Sequence, residues 1–167
     1  MERIKIGGIM ESDGRALVRV MAVPGNPGAA GVLIGSLGEH GINIELLVES
    51  FDLDDAANFA MVIAPKDLDH ALGLLEEVKL QIDAGGISYN PDVAILSVFG
   101  PHLREKPRVP GLMFTSLAQA GITPLAIATS ISSVSCVVEG PHLSPARDAL
   151  TQAFEIPFQV RQRPKDY

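Results

Sequence analysis

Residues 26–50 read NPGAAGVLIGSLGEHGINIELLVES, and residues 106–130 read KPRVPGLMFTSLAQAGITPLAIATS. Laid over one another at an offset of 80, they match at Pro27 and Pro107, Gly31 and Gly111, and Ser36-Leu37 and Ser116-Leu117. They match again at Gly41-Ile42 and Gly121-Ile122, and at Ser50 and Ser130. Leu33 stands over Met113 and Ile34 over Phe114, so the intervening sites keep their character. Further along, residues 59–63 resemble 134–138, and Leu68, Ala71 and Leu75 resemble Leu143, Ala146 and Leu150. The offset there has dropped to 75, which gives the second copy a shorter hairpin. A duplication fixes the architecture before any element is assigned.

Each copy reads as strand, helix, strand, strand, helix. In the first, residues 16–23 are the opening strand and 24–27 the turn. Residues 28–40 carry Ala29, Val32, Leu33, Ser36 and Leu37 on one stripe at helical spacing, with Gly41 as the C-terminal cap. Residues 42–50 alternate: Ile42, Ile44, Leu46 and Val48 face one way, Asn43, Glu45, Leu47 and Glu49 the other. Asp52, Asp54 and Asp55 mark a hairpin, residues 59–64 are a strand apolar on both faces, and 67–80 form the second helix. Residues 81–89 add a strand-like segment. In the second copy the clear strands are 93–99, 122–129 and 134–138, and residues 158–160 offer a very short fourth. The spare segment 3–9 is expected to complete that second sheet instead. The expected fold class is α+β: two tandem ferredoxin-like βαββαβ units, antiparallel sheets with helices on one face. Their expected bounds are 15–90 and 91–158, the latter completed by 3–9, with 159–167 as a tail.

Bulk properties bound the function. The chain has 167 residues, is 47% hydrophobic and carries a formal net charge of −7, which is enough apolar content for packed cores. Nucleic-acid binders present a basic face with stacking aromatics. Here aromatics are 5%, and the basic stretches 104–108 and 161–165 read as a solvated loop and tail. The lone Cys136, inside an apolar run, reads as a small buried hydrophobe. No signal peptide or membrane-length run is visible, so the expected location is the cytoplasm, with no membrane partner. His40, His70, His102 and His142 are scattered without metal-ligand spacing. Thr129, Ser130, Ser132, Ser133 and Ser135 lack a neighbouring base, and the Asp52 cluster lacks the glycine and glutamate of a calcium loop. No catalytic residue, metal site or cofactor is expected.

Val23-Pro24-Gly25-Asn26-Pro27-Gly28, followed by a helix ending in Gly41-Ile42-Asn43-Ile44, resembles the ACT domain. Residues 93–100, Pro107, Ala120-Gly121-Ile122, Ala128-Thr129-Ser130 and 134–138 extend the resemblance to the tandem ACT regulatory region of aspartokinase, over residues 3–156. In that family the strand before the first ACT unit completes the second. The resemblance implies a non-catalytic regulatory module: a free-standing chain such as the short subunit of some aspartokinases, an orphan ACT protein, or an excised piece. It implies a small amino-acid effector held where the first loop and helix start meet the second strand, by Asn26, Gly28, Ala29, Ala30, Asn43, Ile44 and Glu49. The chemistry suits the task. Amide groups at a helix start receive a carboxylate, Gly28 admits close approach, and Asn43 offers both a donor and an acceptor. It further implies a homodimer and a catalytic kinase subunit as partners.

The sequence departs from the family pattern in places. Arg108 replaces a glycine, Thr123-Pro124 replaces the asparagine segment, and Ile131 replaces an acidic residue. Gly25 stands for the loop aspartate and Glu49 for a glutamine, which argues against threonine or lysine as the effector. The rival classes are a small ferredoxin-like enzyme and a ligand-free interaction module.

Overall fold

The computed structural model describes residues 2–157 and 161–163. The short fourth strand read at 158–160 lies outside them, as does most of the tail. The elements are β1 (Ile4–Lys5), β2 (Gly8–Val23), α1 (Ala29–Glu39), β3 (Leu46–Phe51), β4 (Ala57–Ile63), α2 (Leu68–Ile82) and β5 (Gly86–Phe99). They continue with α3 (Val109–Gln119), β6 (Ala126–Thr129), β7 (Ser133–Glu139), α4 (Leu143–Ala153), β8 (Phe154–Glu155) and β9 (Arg161–Gln162). Among the described residues the chain divides into two compact units, one comprising Arg15–Asp92 and the other residues 2–14 with 93–157 and 161–163.

In the first unit the strand order is β3-β4-β2-β5, with β3 at the edge. Antiparallel registers set Ala16 opposite Ile63 and Val20 opposite Phe59, while Leu47 lies opposite Met61 and Glu49 opposite Phe59. Ala16, Val18 and Val20 of β2 and Phe59, Met61 and Ile63 of β4 point into one core. The helices close that core with Ala29, Leu33 and Leu37 of α1 and Leu68, Ala71, Leu75 and Val78 of α2. Leu33 and Leu75 are almost wholly buried, and truncating either to alanine costs about 2–5 kcal/mol at such sites. Val32, expected on the buried stripe, is instead 40% exposed at its margin.

The second unit repeats the plan in the order β6-β7-β5-β2. Ala94, Leu96, Val98, Val134, Cys136 and Val138 form the sheet side of its core, facing Met113 and Leu117 of α3 and Ala146 and Leu150 of α4. β1 pairs in parallel with β8, Ile4 opposite Phe154, and the Gly7 amide donates to the Phe99 carbonyl at 2.8 Å. Glu11, only 4% exposed, accepts two bonds from Arg147 of α4, at 2.7 and 3.1 Å. β9 pairs with Met10 and Glu11.

Two expected boundaries are corrected. The strands read as 42–50 and 122–129 begin at Leu46 and Ala126. In the first copy Gly41 adopts a left-handed φ of +73°, the Ile42 amide returns to the Leu37 carbonyl, and sheet bonding starts when the Glu45 amide reaches Val62. In the second copy Gly121 does the same at +75°, Pro124 has no amide to offer, and the Leu125 amide reaches Val137. The segments 3–9 and 16–23 are likewise not two strands: β2 runs unbroken from Gly8, with β1 a separate two-residue piece before it. The segments read as 81–89 and 93–99 also merge into β5, which begins only at Gly86 because α2 runs on to Ile82.

Candidate functional site

The chain enters the loop before α1 through an irregularity in β2. Pairing with β4 shifts between Val20 and Val23, and Ala22 takes a positive φ of 56°. Such bulges bend a strand and re-aim its end. The Asn58 side chain holds the bend by accepting the Ala22 amide at 3.0 Å. The Gly85 amide donates to the Met21 and Ala22 carbonyls on the other side. An added Cβ at Gly85 would lie 2.7 Å from the Ala22 Cβ, so that position requires glycine.

Beyond the bulge, Asn26 organises the helix start. Its Oδ1 accepts the Gly28 amide at 2.8 Å, and its carbonyl accepts the Ala29 amide at 3.1 Å. Pro24, Gly25, Asn26, Pro27 and Gly28 are exposed, Ala30 is half-buried, and Ala29 is buried beneath them as the first core contact of α1. Glu49 belongs to the same end of the sheet, because Phe51 lies opposite Ala57 and Val23 opposite Ala57 as well. Its partner Phe59 points into the core, so Glu49 stands on the helix-bearing side of the edge strand, exposed to solvent. The adjoining hairpin is pinned by Asp52, whose Oδ1 accepts the amides of Asp54 at 2.8 Å and Ala56 at 3.1 Å. Those two amides hold its carboxyl below the usual value.

Asn43 and Ile44 lie elsewhere. They follow the far end of α1, whose 11 residues span on the order of 16 Å. There they border a cavity of about 270 Å³ together with Arg15, Gly41, Glu45, Ala64, Lys66 and Asp67. The seven residues expected to bind effector therefore fall into two groups. Asn26, Gly28, Ala29, Ala30 and Glu49 share one end of the unit, and Asn43 and Ile44 occupy the other. Sequence reading passed over Asn58, Arg15 and Lys66. The visible signal for Arg15 was a cation directly before the mostly apolar run 16–23.

In the second unit the equivalent position, at the start of α3, holds a cavity of about 220 Å³ bordered by Lys106, Pro107, Val109, Thr129, Ser130 and Ile131. Cys136 is buried in that unit's core, and burial pushes its thiol up to about 12, which makes it a poor nucleophile. Among the described residues no three His, Cys, Asp or Glu side chains converge as a metal site, and no helix is long and apolar enough to cross a membrane.

The chain is similar to known proteins over most of its length. The ACT domain family model matches residues 96–154. An aspartokinase from Pseudomonas aeruginosa is 29% identical over 162 residues, covering 97% of this chain and 39% of the relative. The chain thus spans about two fifths of the length of the curated relatives it matches. The regulatory subunit of aspartate kinase from Thermus flavus superposes with a TM-score of 0.83 at 27% identity, covering 90% of this chain and 99% of that one. A structure of aspartokinase alpha and beta subunits gives a TM-score of 0.82 at 25% identity, over 89% of this chain and 97% of that one. The repeated βαββαβ plan, the ACT match over residues 96–154 and these likenesses make the chain similar to the tandem ACT regulatory region of aspartokinase.

Proposed function

We propose that this chain is a non-catalytic regulatory module that binds a small amino acid at the start of α1 and conveys its presence to a kinase catalytic subunit. The observation that carries the reading is the match to nearly the whole length of a regulatory subunit, 99% of it, at 27% identity. The loop geometry supports it. Asn26 and Glu49 stand at the same end of the first unit, where the positive end of the α1 dipole favours a carboxylate and Glu49 favours an ammonium. Any kinase chemistry belongs to the part of the relatives that this chain does not cover.

A thermal-shift panel with the twenty amino acids tests the proposal. A ligand present at about 100 times its Kd stabilises the native state by about 2.7 kcal/mol, which raises Tm by several degrees in a protein of this size. One or two amino acids are expected to do so. A flat panel would remove the effector reading and leave a ligand-free interaction module. Turnover of a substrate by the isolated chain would favour an enzyme instead.

A further inference from the structure

The hairpin joining β3 to β4 is longer than its fold requires. The second copy closes the equivalent strands, β6 and β7, with five fewer residues, because the offset between the copies falls from 80 to 75 across it. The added length carries Leu53, fully exposed, with Asp54 and Asp55 exposed beside it. The tip has a fixed shape: the Asp52 carboxylate accepts the amides of Asp54 and Ala56, and the Asp55 amide returns to the Asp52 carbonyl at 3.1 Å. Shaped loops raised on a rigid scaffold are where contacts are made. The second unit holds a hollow of matching character. Segment 5–7 and loop 100–106 enclose a cavity of about 270 Å³, with Ile6, Pro101 and Leu103 in its wall. Gly7 and Gly100 also line it, and a Cβ on either would lie 2.9 or 3.0 Å from the other's backbone, so that part of the wall stays bare. Lys5 and Lys106 stand at the lining, and among the described residues no carboxylate does. The Lys106 ammonium donates to the Lys5 carbonyl, which holds its charge in place.

We propose that this cavity receives the β3–β4 hairpin tip of a second copy of this chain, with Leu53 in the apolar hollow and Asp54 and Asp55 against Lys5 and Lys106. Entry removes the Leu53 side chain and the hollow's wall from water together, which is the favourable direction. The charges decide the partner. At a net charge of −7 two copies repel one another in general, so a contact between them forms where an acidic tip meets a basic rim. One tip buries far less than the about 1,200–2,000 Å² of a stable interface, so the contact is weak and fills at millimolar concentration. It does not rest on the effector reading.

Amide NMR of an isotope-labelled Leu53→Ser chain, titrated with unlabelled parent chain to millimolar concentration, tests this. Leu53, Lys5 and Asp54 are all exposed, so substitutions there keep the fold. Shifts are expected at residues 5–7 and 100–106 of the labelled chain. Unlabelled Leu53→Ser in place of the parent should need a roughly tenfold or more higher concentration for the same shifts. Adding Lys5→Glu to the labelled chain should weaken them, and Asp54→Lys in the unlabelled chain should then restore them, which a merely structural role of Lys5 would not do. Silence at the cavity overturns the proposal, as do equal shifts from the parent and from Leu53→Ser. Shifts confined to residues 46–51 would place the contact on β3 and overturn it too, and so would a charge swap that restores nothing.

Discussion

An amino acid that leaves water brings an ammonium group, and an unpaired buried charge is very costly. At the loop end of the first unit, Glu49 stands on the helix-bearing side of β3 with its neighbour Phe59 turned into the core. Gly25 stands in the loop where the resemblance implies an aspartate, and we propose Glu49 as the acceptor in its place. Glu49→Gln keeps shape and polarity and removes the charge. It should weaken binding of the best ligand from the thermal panel by about 1.5–3 kcal/mol, the range for a hydrogen bond to a charged group. Calorimetry reads this directly, and equal affinities would assign the ammonium to another acceptor. The alternation of residues 42–50 made Glu49 legible as a candidate. It also set Asn43 beside it, and there the pattern misled. Strict alternation assumes an extended chain, whereas the chain crosses between layers until the Glu45 amide joins the sheet. Asn58 was illegible for another reason: its side chain holds the backbone of Ala22, 36 residues away, and no local pattern records that bond.

Among the elements, the helices were the most legible, because Leu33, Leu37, Leu75 and Leu150 recur at helical spacing and all are buried. The long strands were hidden. Residues 11–15 of β2 are Glu-Ser-Asp-Gly-Arg and show no strand pattern, yet Glu11 is paired with Arg147, a partner 136 residues distant. Helix ends offer a sharper test. Gly41 and Gly121 both hold left-handed φ, and an added Cβ at either meets nothing within 4 Å. Alanine at either site should therefore cost only the conformational penalty, about 1–2 kcal/mol, as a lower urea midpoint with unchanged slope. A Cβ at Gly7 would sit 2.9 Å from backbone atoms of Phe99 and Gly100, so Gly7→Ala should cost more than either. The hairpin joining β3 to β4 adds a pH signature. Asp52 has its pKa lowered by the amides of Asp54 and Ala56, so the charged form is favoured in the fold. Its stabilisation is present above the unfolded value of 3.8 and is lost as pH falls through the lowered folded value. Asp52→Asn should be less stable than the parent at neutral pH, and the gap should close in acid. A gap that persists at low pH would show that the side chain acts through something other than its charge.

At the scale of the whole molecule, the duplication implied two like units; two cores are present, each of sheet and two helices, and the second takes Ile6 and Ile9 from the N-terminal segment. What a repeat cannot announce is how many chains assemble. We argue for a dimer from the free edge of the first unit. β3 is an edge strand, and on its helix-bearing side Leu47 is 39% and Phe51 64% exposed, flanking Glu49. Edge strands that stay alone are usually short, charged or covered, and two large apolar side chains there favour pairing with a second copy. Such pairing would also enclose Glu49, raising the strength of any contact it makes with a ligand by removing water. Sedimentation velocity at micromolar concentration should show a dimer. Leu47→Lys places a cation on that edge without touching the core and should give a monomer with unchanged circular dichroism. A parent chain that sediments as a monomer, with and without amino acids, would sink the dimer. A Leu47→Lys variant that stays dimeric would move the interface away from β3, and with it the reason for Glu49 to be shielded.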